Sequence, residues 1–110
     1  MKKLIVLVAS TLLACNSAYA GQYIGKIAGL SYYRGLLFIE LTAVTRVNSP
    51  PCATENRYVF DSTVNQANKT MASLVMMAYS LGKTIQIVGT GQCSIGGWPT
   101  ESVDYVAITN

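Results

Sequence analysis

Between Asp61 and Gly82 the chain reads DSTVNQANKTMASLVMMAYSLG, and its apolar positions Val64, Ala67, Met71, Leu74, Ala78 and Leu81 recur at steps of three and four. That spacing lines up one face of a helix with 3.6 residues per turn. A helix is therefore expected from Asp61 to Gly82, with this row as its core stripe. Asp61, Ser62 and Thr63 offer side-chain oxygens to the unpaired amides of a first turn, and Gly82 suits the left-handed position that ends many helices. Val75, Tyr79, Ala72 and Met76 widen the apolar arc to one side, beyond what one packed sheet covers. The arc is either a wide buried face with a few exposed hydrophobes or a contact with another subunit.

On both sides of this stretch the period changes to alternation, the mark of strands. Gln22 to Tyr33 alternates loosely among small residues, with Gly25 and Gly29 at positions suited to bulges. Arg34-Gly35 makes a turn, and Leu36 to Val44, LLFIELTAV, forms a second strand that pairs with the first as a hairpin. Asn48-Ser49-Pro50-Pro51 breaks the pattern. Arg57 to Phe60 is a short third strand leading into the helix, and Thr84 to Val88 is a fourth, with Ile85 and Ile87 inward. A glycine-rich loop carrying Cys93 and Trp98 then precedes a fifth strand, Ser102 to Thr109. Three strands, a helix and two strands is the element order of an OB-fold, a five-stranded partly open barrel. The expected class is thus mainly β with one helix, in the order β-β-β-α-β-β, although a flat α+β sheet with the helix on one face satisfies the same pattern.

The first twenty residues change this picture, because they do not belong to the barrel. Lys2 and Lys3, the apolar run Leu4 to Ala14 and the Ala18-Tyr19-Ala20 end have the composition of a cleaved export leader, with cleavage between Ala20 and Gly21. Leu12-Leu13-Ala14-Cys15 offers the alternative of a lipoprotein anchored through Cys15. The apolar run is too short to span a bilayer, and no later stretch reaches the roughly twenty residues required. One domain, residues 21–110, follows the leader. It keeps six basic residues against five acidic ones, without a basic run, so the phosphate-neutralising patch of a nucleic-acid binder is absent. Cys52 and Cys93 remain in an oxidising compartment, and a disulfide between them is expected. Secretion or residence in the periplasm follows.

The chemical inventory is short. There is no histidine, which removes the usual general base and the commonest metal ligand. Of the carboxylates, Asp61 is assigned to the helix cap, and strand alternation would point Glu101 and Asp104 to opposite sides. Lys69 and Lys83 lie in no nucleophile motif, and GTGQCSIGG does not follow a strand and open a helix as a phosphate-binding loop does. The chain reads as non-enzymatic, without cofactor or metal. Binding falls to aromatic residues. Trp98, on its glycine-rich loop, either stacks on a sugar or anchors a protein contact, or else folds over a barrel end as a plug. Tyr32 and Tyr33 straddle the hairpin turn, so at least one of them should face outward. The candidate carbohydrate-binding residues are Trp98, Glu101 and Tyr33, and the candidate subunit contacts are Ala72, Val75, Met76 and Tyr79.

LVMMAYSLGKTIQIVGTGQC, the tryptophan loop after it and the closing SVDYVAITN resemble the second half of the B subunits of bacterial AB5 toxins. The likeness is greatest to the cholera and heat-labile enterotoxin type, where a helix ending in an Ala-Tyr pair leads to a strand, a cysteine, a loop tryptophan and a last strand ending in Asn. The plan is also similar to subtilase cytotoxin and pertussis-like B subunits. Cys93 matches the cysteine after strand four. Trp98 matches the pocket tryptophan in its loop but lies five residues past the cysteine, and Cys52 departs from the cholera pattern, where the other half-cystine is near the mature N-terminus. The resemblance implies an OB-fold assembled into a ring of five, which binds glycans on a cell surface or glycoprotein, and leaves open whether a catalytic A subunit accompanies it. The competing reading is a small periplasmic structural or inhibitor protein that binds another protein.

Overall fold

A computed structural model describes residues 20–109. The expected leader, with Cys15, lies outside the described residues except for Ala20. Five strands, β1 (Gln22–Tyr33), β2 (Leu36–Val47), β3 (Arg57–Asp61), β4 (Thr84–Gly89) and β5 (Glu101–Thr109), enclose a core, with one helix, α1 (Gln66–Leu81), between β3 and β4. The strands close into a barrel in the order β1-β2-β3-β5-β4, with β4 returning to pair with β1. All pairings are antiparallel except β3 with β5, where Tyr58 faces Glu101 and Val59 faces Ser102. This is the OB-fold-like barrel, not the flat sheet.

The β1–β2 hairpin supplies the longest ladder. Arg34 and Gly35 both take positive φ, 50° and 87°, which turns the chain back with a twist that matches the strands. Register shifts between Ile24 and Lys26 and between Ile27 and Gly29 curve β1 so that it pairs with β2 on one edge and β4 on the other. Closure needs such bulges, because an evenly pleated strand cannot bend far enough to reach both neighbours. β2 runs three residues beyond the expected Val44, to Val47, and Asn48 (φ 55°) then releases it into the disulfide loop.

Helix α1 starts at Gln66, five residues later than the periodicity suggests, and its cap is Asn65, whose Oδ1 accepts the Asn68 amide at 2.8 Å. Asp61 is occupied elsewhere. It pairs with Leu36 as the last residue of β3, and its carboxylate accepts the Thr63 amide and hydroxyl at 2.9 and 2.7 Å. Those bonds hold its pKa below the usual carboxylate range. Ser62 donates to the Gly35 carbonyl through both amide and hydroxyl, so residues 61–63 fasten the helix approach to the hairpin tip. Gly82 closes the helix in the left-handed region as expected.

The buried stripe is rotated from the expected one. Ala72, Val75 and Ala78 are buried, with Met71 and Leu74 packed at their margin, while Val64, Ala67 and Leu81 are exposed. Two alanines on the inner face let the helix approach the barrel closely. There it joins a core of Tyr23, Leu37, Ile39, Leu41, Tyr58, Phe60, Ile85, Ile87, Val103 and Val106. Ala72 and Val75 are therefore core residues and are removed from the subunit contacts, whereas Met76 and Tyr79 stay about half exposed. Among the described residues no helix is long and apolar enough to cross a membrane.

Candidate functional site

The outer face of β1–β2–β3 can be built from its register. Residues directly opposite one another share a face, so Ser31, Phe38 and Val59 form one outward row and Tyr33, Leu36 and Asp61 the next. An outward phenylalanine would ordinarily be half exposed, but Phe38 is only 5% accessible. Its cover is Trp98, whose indole meets it edge-on with ring centroids 5.4 Å apart at 76°, a favourable aromatic geometry. From another side the Arg57 guanidinium lies 5.3 Å from the Phe38 ring centre. Glu55 Oε1 accepts from Nε and Nη2 of Arg57, both at 3.2 Å. Half-exposed pairs of this kind add little stability, but this one orients the guanidinium beside the aromatic surface.

Trp98 is placed by its loop. Gly96 and Gly97 adopt φ of 64° and 71°, and a Cβ on Gly96 would fall 2.2 Å from the indole nitrogen, so a glycine is required for the backbone to pass beneath the ring. The Cys52–Cys93 disulfide joins this loop to the one before β3, with Cα atoms 6.1 Å apart. The Thr54 amide adds a bond to the Pro99 carbonyl at 3.2 Å. The result is an indole 36% accessible on a braced loop. It is neither a barrel plug nor a free side chain. Tyr33, 51% accessible, stands on the same face one row beyond Phe38, with Arg34 5.3 Å from its ring centre. Tyr32 is exposed as well.

Glu101, the third expected sugar contact, does not belong to this surface. It is the first residue of β5 and points inward, fully buried. Its Oε2 accepts the amides of Gly21 and Gly91 at 3.1 and 2.6 Å, and its Oε1 accepts the Tyr23 hydroxyl. Burial pushes the Tyr23 hydroxyl well above an ordinary phenol, and the bond to Glu101 adds to the shift. The network continues from Tyr23 Oη to Ser49 Oγ at 3.1 Å, and Arg46 Nη2 donates to Ser49 at 3.2 Å. Tyr58 packs against Tyr23 with ring centroids 4.2 Å apart. Its hydroxyl and that of Thr100 are buried with no hydrogen-bonding partner among the described residues. A Cβ on Gly89 would lie 2.0 Å from Glu101 Oε2, so the carboxylate occupies the space a side chain would need.

The outer patch thus gathers Trp98 and Tyr33 and adds Phe38, Arg57 and Glu55, which the sequence reading passed over. The signal for Phe38 lies in LLFIEL: Leu36 and Phe38 are apolar at the outward positions of a strand whose inward positions are already apolar, which marks a second covered face. A separate shallow depression of about 360 Å³ is lined by Ile24, Gly25, Lys26, Thr42, Thr45 and Thr84 and carries a single charged side chain. No protein-family model, curated protein or solved structure matches the chain.

Proposed function

We propose that this is an exported, non-enzymatic binding protein that recognises a carbohydrate through the Trp98 patch and works as a ring of its own copies, in the manner of AB5 toxin B subunits. The observation that carries the reading is Trp98, held half exposed on a disulfide-braced loop beside the oriented Arg57–Glu55 pair. A flat apolar ring takes the carbon face of a sugar, while a guanidinium and a carboxylate at its border supply donors and acceptors for hydroxyls.

Assembly is supported by the apolar residues left outside the core. Met76, Met77, Tyr79 and Leu81 on α1 are each 46–62% accessible, and Tyr105 on β5 is 52% accessible. A concentration of large apolar side chains on one helix is more typical of a contact surface than of a solvated one. The same helix flank favours the second reading, a protein-binding inhibitor or structural protein, because methionines adapt to varied partners.

A glycan array probed with the oxidised protein from Gly21 onward tests the binding half. Wild type should bind a defined set of sugars, and Trp98→Ala should lose at least about tenfold in affinity, as expected for loss of a central aromatic anchor, while remaining folded. Absence of any ligand for wild type would remove the glycan reading. Light scattering tests the ring: a mass about five times the monomer supports it, and a monomer that captures one periplasmic protein favours the second reading.

A further inference from the structure

Glu101 is a fully buried carboxylate with no lysine or arginine at salt-bridge distance among the described residues. Arg46 is linked to it only through Ser49 and Tyr23. A buried charge without a counter-charge is costly, and hydrogen bonds alone offset only part of that cost. One of its donors has an unusual position. The Gly21 nitrogen, 3.1 Å from Oε2, is the atom released when an export leader is cut between Ala20 and Gly21. Gly21 is buried and Ala20 is exposed, so the scissile bond lies at the protein surface and the released nitrogen lies inside. The Gly21 carbonyl accepts the Gly89 amide at 2.8 Å, which holds the residue in place. A Cβ on Gly21 would fall 2.3 Å from the Tyr23 hydroxyl and 2.6 Å from Glu101 Oε1, so the site is shaped around a glycine.

We propose that Gly21 is the first residue of the working protein and that its α-ammonium is the buried counter-charge of Glu101, so that leader removal completes the core of the barrel. Hydrolysis breaks the Ala20–Gly21 peptide bond. Water supplies the oxygen of the new Ala20 carboxylate, and the Gly21 nitrogen carries the protons and the positive charge. A neutral amide donor at Glu101 thereby becomes a charged one in the same place, and charge-assisted bonds are shorter and stronger. The inference rests on export and is independent of the glycan reading.

Edman sequencing of the protein recovered from the exporting cell should read Gly21 first, and any other first residue overturns the proposal. The oxidised chain beginning at Gly21 is then compared with one beginning at Ala20. The longer chain should melt on the order of 5 °C lower, and Glu101→Gln should bring the two midpoints together. The groups facing the Gly21 nitrogen are Glu101 from β5 and Tyr23 from β1, with Tyr58 of β3 and Arg46 of β2 behind them.

Pairing raises the pKa of the folded amine. Its stabilisation is therefore complete below the ordinary α-amine value of about 8 and is lost as pH rises through the higher folded value. The midpoint difference between the two chains should shrink over that range. A difference constant from pH 7 to the onset of tyrosine ionisation would show that the extra alanine acts by bulk alone and would overturn the ion pair. This readout uses wild-type Glu101 and stands even if Glu101→Gln fails to fold.

Discussion

Trp98 and Glu101 stand three residues apart at the entry to β5 and have opposite fates. One lies on the outside of the barrel, about a third exposed, against an aromatic ring and beside a charged pair. The other is inside, fully buried, with both carboxylate oxygens bonded to Gly21, Gly91 and Tyr23. Residue chemistry alone does not separate them, since a carboxylate next to a loop tryptophan is what a sugar site would use. Burial does. The interior group is fixed by its neighbours, whereas the exterior group keeps part of its surface free.

The comparison breaks most visibly at its interior end. Glu101→Ala takes this acceptor from the Gly21 and Gly91 nitrogens and the Tyr23 phenol, and each such group costs about 1–3 kcal/mol. The expected loss is roughly 3–9 kcal/mol, a large share of the 5–15 kcal/mol typical of a domain, seen as a much lower urea midpoint. Trp98→Ala, by contrast, should cost only about 1–3 kcal/mol, because it uncovers Phe38 but removes an indole already a third exposed. If the two substitutions cost the same, the division between a structural interior and a functional exterior is wrong.

Removing the disulfide should have the next largest effect, and it acts on the exterior. Cys52 and Cys93 are separated by 41 residues, and the double substitution to serine should lower stability by about 2–4 kcal/mol in the chain-entropy model. Trp98 is the sole tryptophan, so its fluorescence reports the patch directly. In the double variant the emission should shift to the red and lose anisotropy as the loop leaves Phe38. An unchanged spectrum would mean that Gly96 and the Thr54–Pro99 bond hold the indole without the bridge.

The fold was legible because alternation and helical period are local. The helix begins later than its periodicity suggests and buries only Ala78, with Met71 and Leu74 at the margin, of the expected stripe, and both departures have non-local causes. The polar run from Asp61 to Thr63 resembles a cap, but Asp61 is drawn into β3 by pairing with Leu36, and Ser62 is bonded to Gly35, 27 residues earlier in the chain. The stripe is set by which side of α1 can approach the barrel most closely, and that favours Ala72 and Ala78 over larger residues. Glycine content left Trp98 either outward or folded over the barrel end as a plug, and turn position put at least one of Tyr32 and Tyr33 outside. Glu101 could not be placed, since its burial depends on Gly21, 80 residues away.

The smallest effect probes the interior from the other side. Tyr23 and Tyr58 stack at 4.2 Å, yet the hydroxyl of Tyr23 is bonded to Glu101 and Ser49 while that of Tyr58 has no partner among the described residues. Tyr23→Phe should cost about 1–3 kcal/mol by stranding acceptors. Tyr58→Phe should be neutral at pH 7 or stabilise by up to about 1 kcal/mol, since it removes an unbonded buried hydroxyl. Alkali separates the pair further. Burial pushes the Tyr58 hydroxyl up to about 12, against about 10 in an unfolded chain. A raised folded value means that the stabilisation is intact below pH 10 and is lost as pH rises from 10 to 12, because the unfolded chain releases its proton first. Tyr58→Phe should therefore flatten part of the stability loss across that window, and Tyr23, whose hydroxyl is also raised, contributes to the remaining slope. A Tyr58→Phe variant that loses more than about 1 kcal/mol at pH 7 would show that the hydroxyl has a partner after all, and the contrast between the two tyrosines would disappear.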